Sequence, residues 1–323
     1  MRKIRLGIVG CGIAAKELHW PILKELRDKF EITAVNSRTR KHAEEFAKLV
    51  GSPEIFDTYE ELLDSGVIEA VDLTIPIELN VQFTEKAILK NIHVICEKPI
   101  STDVETGKIL VNLAKQTDKV IYIAENWRHI KKYYKVKEVL SKIGKPLYFN
   151  WKIWIGMDRN NKYAQTEWRK TPKHIGGFLS DGGVHHVAAM RLIFGDIKWV
   201  SAITKKHASF LGGPDFLEAV FEFENQVVGN YTVSYAIKSE ETFEVIGTIG
   251  KIKLEGNKII VNDEIIEVEE NMGYKEEFED FYEIILGVRK NELGSPEEAL
   301  KDLAFFEAAL KSNGDRIDLT SLL

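Results

Sequence analysis

The chain has 323 residues, 44% of them hydrophobic and 29% charged, with a formal net charge of -6. That composition suits a folded protein with room for two domains, and the acidic balance argues against a large basic face for nucleic acid or anionic lipid. No apolar run approaches the roughly 18 residues a membrane span requires, and "MRKIRLGIVGCG" enters a strand at once, so it does not read as a signal peptide. Two cysteines, Cys11 and Cys96, lie in apolar strand-like runs. Free thiols in a reducing cytoplasm are therefore expected rather than a disulfide framework. The eight histidines lack a Cys-rich or His-x-x-x-His context, so no metal is expected.

The first third alternates strand and helix. "KIRLGIVG" reads as a strand, and "AAKELHWPILKEL" as a helix with Leu18, Ile22 and Leu26 on one face. "EITAVNS" is a second strand. "TRKHAEEFAKLVG" is an amphipathic helix ending on Gly51, and "YEELLDSG" a short helix. "AVDLTIP", "HVICEKP" and "KVIYIAE" are three further strands, separated by the helices "NVQFTEKAILKNI" and "DVETGKILVNLAKQT". Parallel strands need a crossover of about a dozen residues, which these helices supply. Residues 1–124 are thus expected to form a Rossmann-type, doubly wound α/β domain, with ligands at the carboxyl ends of its strands.

Near residue 125 the pattern changes. A helix, "KKYYKVKEVLSKIG", precedes the long strand "KPLYFNWKIWIG". From about 197 to 268 strand follows strand, with turn signals between them, which predicts a mostly antiparallel sheet. Helices at "YKEEFEDFYEIILGVRKN" and "SPEEALKDLAFFEAALKSN" close the chain, the second capped by Ser295 with Pro296 at its first turn. Residues 125–323 are expected to be an α+β domain for substrate binding and oligomerisation. Segments 215–224 and 227–237 carry apolar residues on both faces, Phe221 and Phe223 against Val220, so a second subunit is expected to cover one face.

The first strand runs into Gly10-Cys11-Gly12-Ile13-Ala14-Ala15, a G-x-G-x-x-A fingerprint. Gly10 permits the tight turn, and Gly12 lets backbone approach a pyrophosphate at the helix amino end. A plain structural turn is the alternative. At the end of the second strand, Asn36 stands where an NAD site usually carries a carboxylate, and Ser37 and Arg38 follow. The missing carboxylate removes repulsion against a 2′-phosphate, which Arg38 and Ser37 could bind. NADP(H) is favoured over NAD(H), against the alternative of a solvated helix start.

Lys98 leaves the fourth of these strands at its carboxyl end, near the expected nicotinamide. A lysine there could take or give the hydroxyl proton that accompanies hydride transfer. A solvated Glu97–Lys98 pair is the alternative. Within "HIGGFLSDGGVHHVAAMRLIFG", residues 174–195, Asp181 and His185 are four apart and share a helix face, which suits a proton relay. An N-cap Asp and a satisfied core His would also explain them, and His186 reads as packing. A third metal ligand beside them is not evident.

Gly10-x-Gly12-x-x-Ala15, Thr74-Ile75-Pro76, Glu97-Lys98-Pro99, Trp168-Arg169, Gly176-Gly177 and Asp181-Gly182-Gly183-Val184-His185 resemble, in order, the motifs of the glucose–fructose oxidoreductase / inositol dehydrogenase / MocA family. The resemblance covers the whole chain. It implies a Rossmann domain followed by an α/β domain with a large open sheet that builds homodimers or homotetramers. It also implies hydride transfer between NAD(P) and a sugar, polyol or related diol. It assigns Lys98, Asp181 and His185 to catalysis. Gly10, Gly12, Ile13, Ala14, Ser37, Arg38, Thr74, Pro76, Glu97, Lys98, Trp168 and Arg169 are the positions it and the loop reading assign to the cofactor. Pro99 matches a proline that follows a cis peptide in the family. Asn80 stands where many members have His and Ala188 where many have Asp, which implies fewer polar groups beside a sugar. The competing functions are a cofactor-binding sensor without turnover, which need not keep a proton relay, and a redox-neutral hydrolase holding NAD.

Overall fold

The computed structural model describes residues 2–323. It divides into two compact units, and the cut is not the single one expected at 124/125. The first unit comprises Met1–Ser101, Thr106–Asn126 and Tyr274–Ala299, and the second comprises Thr102–Glu105, Trp127–Gly273 and Leu300–Leu323.

The first unit holds a six-stranded sheet of β1 (Ile4–Val9), β2 (Phe30–Asn36), β3 (Glu54–Phe56), β4 (Ala70–Leu73), β5 (His93–Glu97) and β6 (Ile121–Ala124). The order is β3-β2-β1-β4-β5-β6, and every pairing is parallel. The winding reverses between β1 and β4, so the ligand crevice of such a sheet opens at their carboxyl ends. The three-residue β3 was not among the five expected strands. It is too short to show a periodicity, and only its pairing with Ala34–Asn36 defines it.

Local chemistry accounts for the helices. Gly51 takes φ 110° and returns its N–H to Ala47, closing the helix Arg40–Val50, whose face Ala43, Phe46 and Ala47 is buried. Thr58 and Glu61 form a capping box at the start of Tyr59–Asp64, each bond 3.1 Å. The first helix differs from expectation. A π-helical turn, Ala15–His19, leads into Trp20–Glu25. The buried face is Ala15, His19, Leu23 and Leu26, while Leu18 and Ile22 are only half-buried. A histidine thus takes a core position.

The helix Tyr274–Ile285 was expected in the second domain and belongs to the first unit. Its apolar residues recur at three- and four-residue intervals. Phe278, Phe281 and Tyr282 pack on Phe30 with ring centroids 5.9, 6.3 and 5.7 Å apart. Tyr122 adds an edge contact to Phe281 and donates its hydroxyl to Asp280 at 3.1 Å. An amphipathic pattern announces that a helix has a partner, not which sheet the partner is.

The second unit holds nine strands: β7 (Pro146–Trp154), β8 (Ile197–Lys205), β9 (Phe216–Phe223), β10 (Val228–Ser234), β11 (Thr242–Gly247), β12 (Lys251–Glu255), β13 (Lys258–Val261), β14 (Glu264–Glu267) and β15 (Ile317–Asp318). The order is β14-β13-β12-β11-β7-β10-β9-β8-β15, antiparallel except for β7 against β10. One face buries Phe149, Trp151, Phe221, Phe223, Tyr231 and Val233. Onto it pack Phe194 from the helix Phe178–Phe194, 4.9 Å from Phe223, and Phe305 from the helix Pro296–Ser312, 5.5 Å from Phe221. The other face alternates more cleanly than expected, because Glu218, Glu222, Asn230 and Thr232 share it with Val220, Val228 and Tyr148. The glycine pair of the helix Phe178–Phe194 also has a cause. A Cβ on Gly182 would strike the Tyr235 hydroxyl, and one on Gly183 the Phe306 ring.

Candidate functional site

The nucleotide loop follows β1 directly. Gly10 has φ 94°, its N–H reaches the Asn36 carbonyl at 2.9 Å, and its own carbonyl accepts from the Thr74 hydroxyl. A Cβ there would collide with the Thr74 carbonyl, so only glycine fits. Thr74, assigned to the cofactor from sequence, thus also braces the loop itself. Gly12 is the opposite case. It is exposed, and nothing lies within 4 Å of where its Cβ would stand. That open cradle at a helix start, with Ile13 and Ala14 half-buried behind it, fits a dinucleotide pyrophosphate.

At the end of β2 the Asn36 side chain is buried and donates to the Phe56 carbonyl at 3.0 Å. It fastens β3 and leaves no carboxylate at that position. Ser37 is half-buried and Arg38 exposed. Arg40 pairs with Asp57 and Glu44, whereas Arg38 has no ion pair among the described residues.

Lys98 is half-buried one residue beyond β5, and the Lys98–Pro99 peptide is cis. Glu97 is tied to a buried histidine: its Oε1 lies 3.0 Å from His19 Nε2, and the other ring nitrogen of His19 lies 2.8 Å from Asp72 Oδ2. His19 and Asp72 are buried. Burial alone opposes a charge on His19, but the two carboxylates outweigh it and lift its pKa well above the imidazole value. Burial lifts the Asp72 carboxyl, against the pull of the imidazolium. Asn80, read from sequence as one polar group fewer beside a sugar, is wholly buried and donates to the carbonyls of Glu97 and Pro99, both at 2.9 Å. Pro76 precedes the short turn Ile77–Leu79 that leads to Asn80.

Glu277 lies in the same unit, wholly buried, with both oxygens unpartnered among the described residues. Burial raises its pKa well above 4.5, aided by repulsion from Glu97, Glu125 and Asp72. The folded state therefore holds a proton there that the unfolded chain releases above about 4.5. Stability from this group falls as pH rises from that value toward the folded pKa. Glu277→Gln should remove the loss, so its melting-temperature advantage over wild type should widen from pH 4.5 to pH 7. Parallel melting curves across that range would show that Glu277 is paired instead.

In the second unit the helix Phe178–Phe194 carries Asp181 and His185 one turn apart. Arg169, expected at the cofactor, donates from Nε to Asp181 Oδ2 at 2.6 Å. Its guanidinium lies 3.9 Å from the Trp168 ring centroid and 5.1 Å from that of Tyr163. Arg169 therefore holds the Asp181 carboxylate in place. His185 is half-buried, its ring stacked on Trp127 at 5.5 Å with an 18° tilt. His186 is buried and bonded to the Tyr231 hydroxyl at 2.6 Å, as packing requires. Ala188 is fully buried. Sequence reasoning missed Arg169 as the partner of Asp181, and missed His19, Asp72 and Glu277 altogether. The one signal for these was charge and histidine at core positions of apolar runs.

Two family models cover most of the chain. The oxidoreductase family with an NAD-binding Rossmann fold matches residues 4–125, and its C-terminal α/β domain matches residues 137–318. An uncharacterized protein of Saccharomyces cerevisiae is 33% identical over 99% of both chains. Dehydrogenase FPY6 of Fusarium mangiferae is 30% identical over 96% of both. The crystal structure of an oxidoreductase from Thermotoga maritima superposes with a TM-score of 0.98 at 60% identity, covering 100% of each chain. A G-x-G-x-x-A loop at the carboxyl end of β1, a lysine at the end of β5 and an arginine-held Asp181 beside His185 stand on the two domains these models describe. The chain belongs to the Gfo/Idh/MocA family of NAD(P)-dependent dehydrogenases.

Proposed function

We propose that this protein transfers a hydride between NADP(H), in preference to NAD(H), and a hydroxyl or carbonyl of a sugar, polyol or related diol. The observation that carries the reading is Lys98, half-buried at the carboxyl end of β5, where a sheet of this winding binds its ligand. Relatives named D-apiose dehydrogenase and scyllo-inositol 2-dehydrogenase (NADP(+)) support the substrate class. When bound, the nicotinamide accepts or supplies the hydride. Lys98 takes the hydroxyl proton on oxidation or returns it on reduction, and its charge stabilises an alkoxide. Asp181, fixed by Arg169, accepts from a substrate hydroxyl, and His185 passes the proton onward. Gly10, Gly12, Ile13 and Ala14 cradle the pyrophosphate, Thr74 and Pro76 line the path toward the nicotinamide, and Trp168 packs beside Arg169. Cofactor-dependent change in nicotinamide absorbance across a panel of sugars, polyols and diols tests the reading. Tight cofactor binding with no turnover on any of them would favour the sensor.

Ser37 and the unpaired Arg38 supply the preference for NADP(H). Arg38→Ala should weaken NADPH far more than NADH. A charge-assisted contact to phosphate is worth roughly 1.5–3 kcal/mol, or about one to two decades in Kd. Equal loss for both cofactors, measured by titration of nicotinamide fluorescence, would refute the assignment.

A homodimer or homotetramer through the open face of the nine-stranded sheet belongs to the same reading. Ile246, Tyr148 and Val228 stand in one cross-strand row there, each exposed. Light scattering that finds only monomer would remove this part. The two cysteines are free and buried, which fits the reducing cytoplasm of the same reading.

A further inference from the structure

We propose that His19 and Asn80 are positioning residues for Lys98: His19 holds the Glu97 carboxylate, Asn80 holds the carbonyls of Glu97 and Pro99, and the turn carrying the lysine is pinned on both sides. The inference rests on Lys98 being the acid–base group of the reaction.

Lysine carries a long, flexible stem, so its ammonium is no better placed than the backbone that bears it. The turn after β5 needs outside bonds because Pro99 has no N–H to give. Asn80 provides them. Its amide has two hydrogens, and one goes to the carbonyl before Lys98 and the other to the carbonyl of Pro99, each at 2.9 Å. It opens the helix Asn80–Leu89 and is wholly buried, so the donor sits on a rigid base.

His19 supplies the second hold. Both ring nitrogens lie within 3.0 Å of a carboxylate oxygen, Asp72 Oδ2 and Glu97 Oε1. A neutral imidazole has one N–H, and its other nitrogen would point a lone pair at a carboxylate. Only the imidazolium donates to both. The groups around it agree. Asp72 faces it from β4 and Glu97 from β5. Phe278, on the helix Tyr274–Ile285, meets it edge-on at 5.2 Å, and Tyr274 stands 6.4 Å away. Glu277 on that helix and Glu125 beyond β6 add carboxyl groups, and burial lifts the Glu277 pKa well above its ordinary value. The resulting cation fixes the last side chain of β5, one residue before the lysine.

The test uses the full chain with Asn80→Leu, Asn80→Asp, His19→Gln, Lys98→Met and the doubles with Lys98→Met. Nitrogen-15 spectra of the wild-type histidines should show His19 with a proton on both nitrogens from about pH 6 to 8. A His19 that is neutral in this range overturns its role. Acetic anhydride labelling, read by mass spectrometry against the exposed Lys48, should change at Lys98 by about threefold or more in Asn80→Leu and His19→Gln. On a substrate found in the panel, kcat should fall by about tenfold or more, with the Kd for NADPH within about threefold, since a misplacement of about 1 Å can cost 10² in rate. The doubles should be no slower than Lys98→Met alone. Unchanged Lys98 labelling in both variants, or additive losses in the doubles, overturns the clamp. If His19→Gln fails to fold, Asn80→Asp, which keeps the shape and loses the donors, decides by the same labelling. Lys98→Met with normal turnover refutes the catalytic reading instead, while labelling and spectra still report on the clamp.

Discussion

Lys98→Met should lower kcat by at least about 10² and leave cofactor affinity within about a factor of ten, the usual size for loss of one acid–base group. Methionine keeps the apolar stem and removes the ammonium. The half-buried position tolerates that stem, and Glu97 stays engaged with His19. Folding should therefore be nearly unchanged, because the apolar stem that fills this half-buried position is kept. His185→Asn should also lower turnover on the same substrate. It keeps a polar side chain beside Trp127 and removes the imidazole. Near-normal turnover in Lys98→Met would return Glu97-Lys98-Pro99 to a structural turn and make the sensor the better reading.

Asp302→Ala should destabilise the second unit by about 3–5 kcal/mol, the cost of stripping one partner from a buried ion pair. Asp302 lies on the helix Pro296–Ser312 and receives Arg128 on one oxygen and Arg191, at 2.7 Å, on the other. The side chains of all three are no more than 4% exposed. Arg191 keeps Asp196 at 3.0 Å after the change, and Asp196 keeps Lys301 at 2.8 Å. Arg128 loses the carboxylate that neutralises it. Urea unfolding followed by tryptophan emission reads this unit, since Trp20 is the sole tryptophan outside it. A midpoint shift worth less than about 1 kcal/mol would mean that water or another acid compensates Arg128. Catalysis below the transition should be preserved, which separates this variant from Lys98→Met.

Some of this protein is written locally. The alternation of apolar runs with amphipathic helices determines the parallel sheet, because each crossover is contained in the segment that makes it. Gly10 and Gly12 announce the nucleotide loop, since a positive φ and an open cradle are demands on single residues. Thr58 with Glu61 and Gly51 mark helix ends for the same reason. The motif Asp181-Gly182-Gly183-Val184-His185 is legible as a helix face, and the glycines state in advance that something packs close.

What packs close is decided only by the tertiary fold. Tyr235 and Phe306 meet Gly182 and Gly183 from 53 and 123 positions along the chain. The helix Tyr274–Ile285 has the same amphipathic spacing whichever sheet receives it, and Phe30 was its partner. His19 reads as an interruption of an apolar face until Asp72 and Glu97, 53 and 78 residues later, arrive on adjacent strands. Asn80 likewise reads as a departure from a motif until its amide meets the carbonyls beside Lys98. Periodicity records that a side chain is buried. Which charges and carbonyls share its burial depends on strand order and crossover, and these are properties of the folded chain.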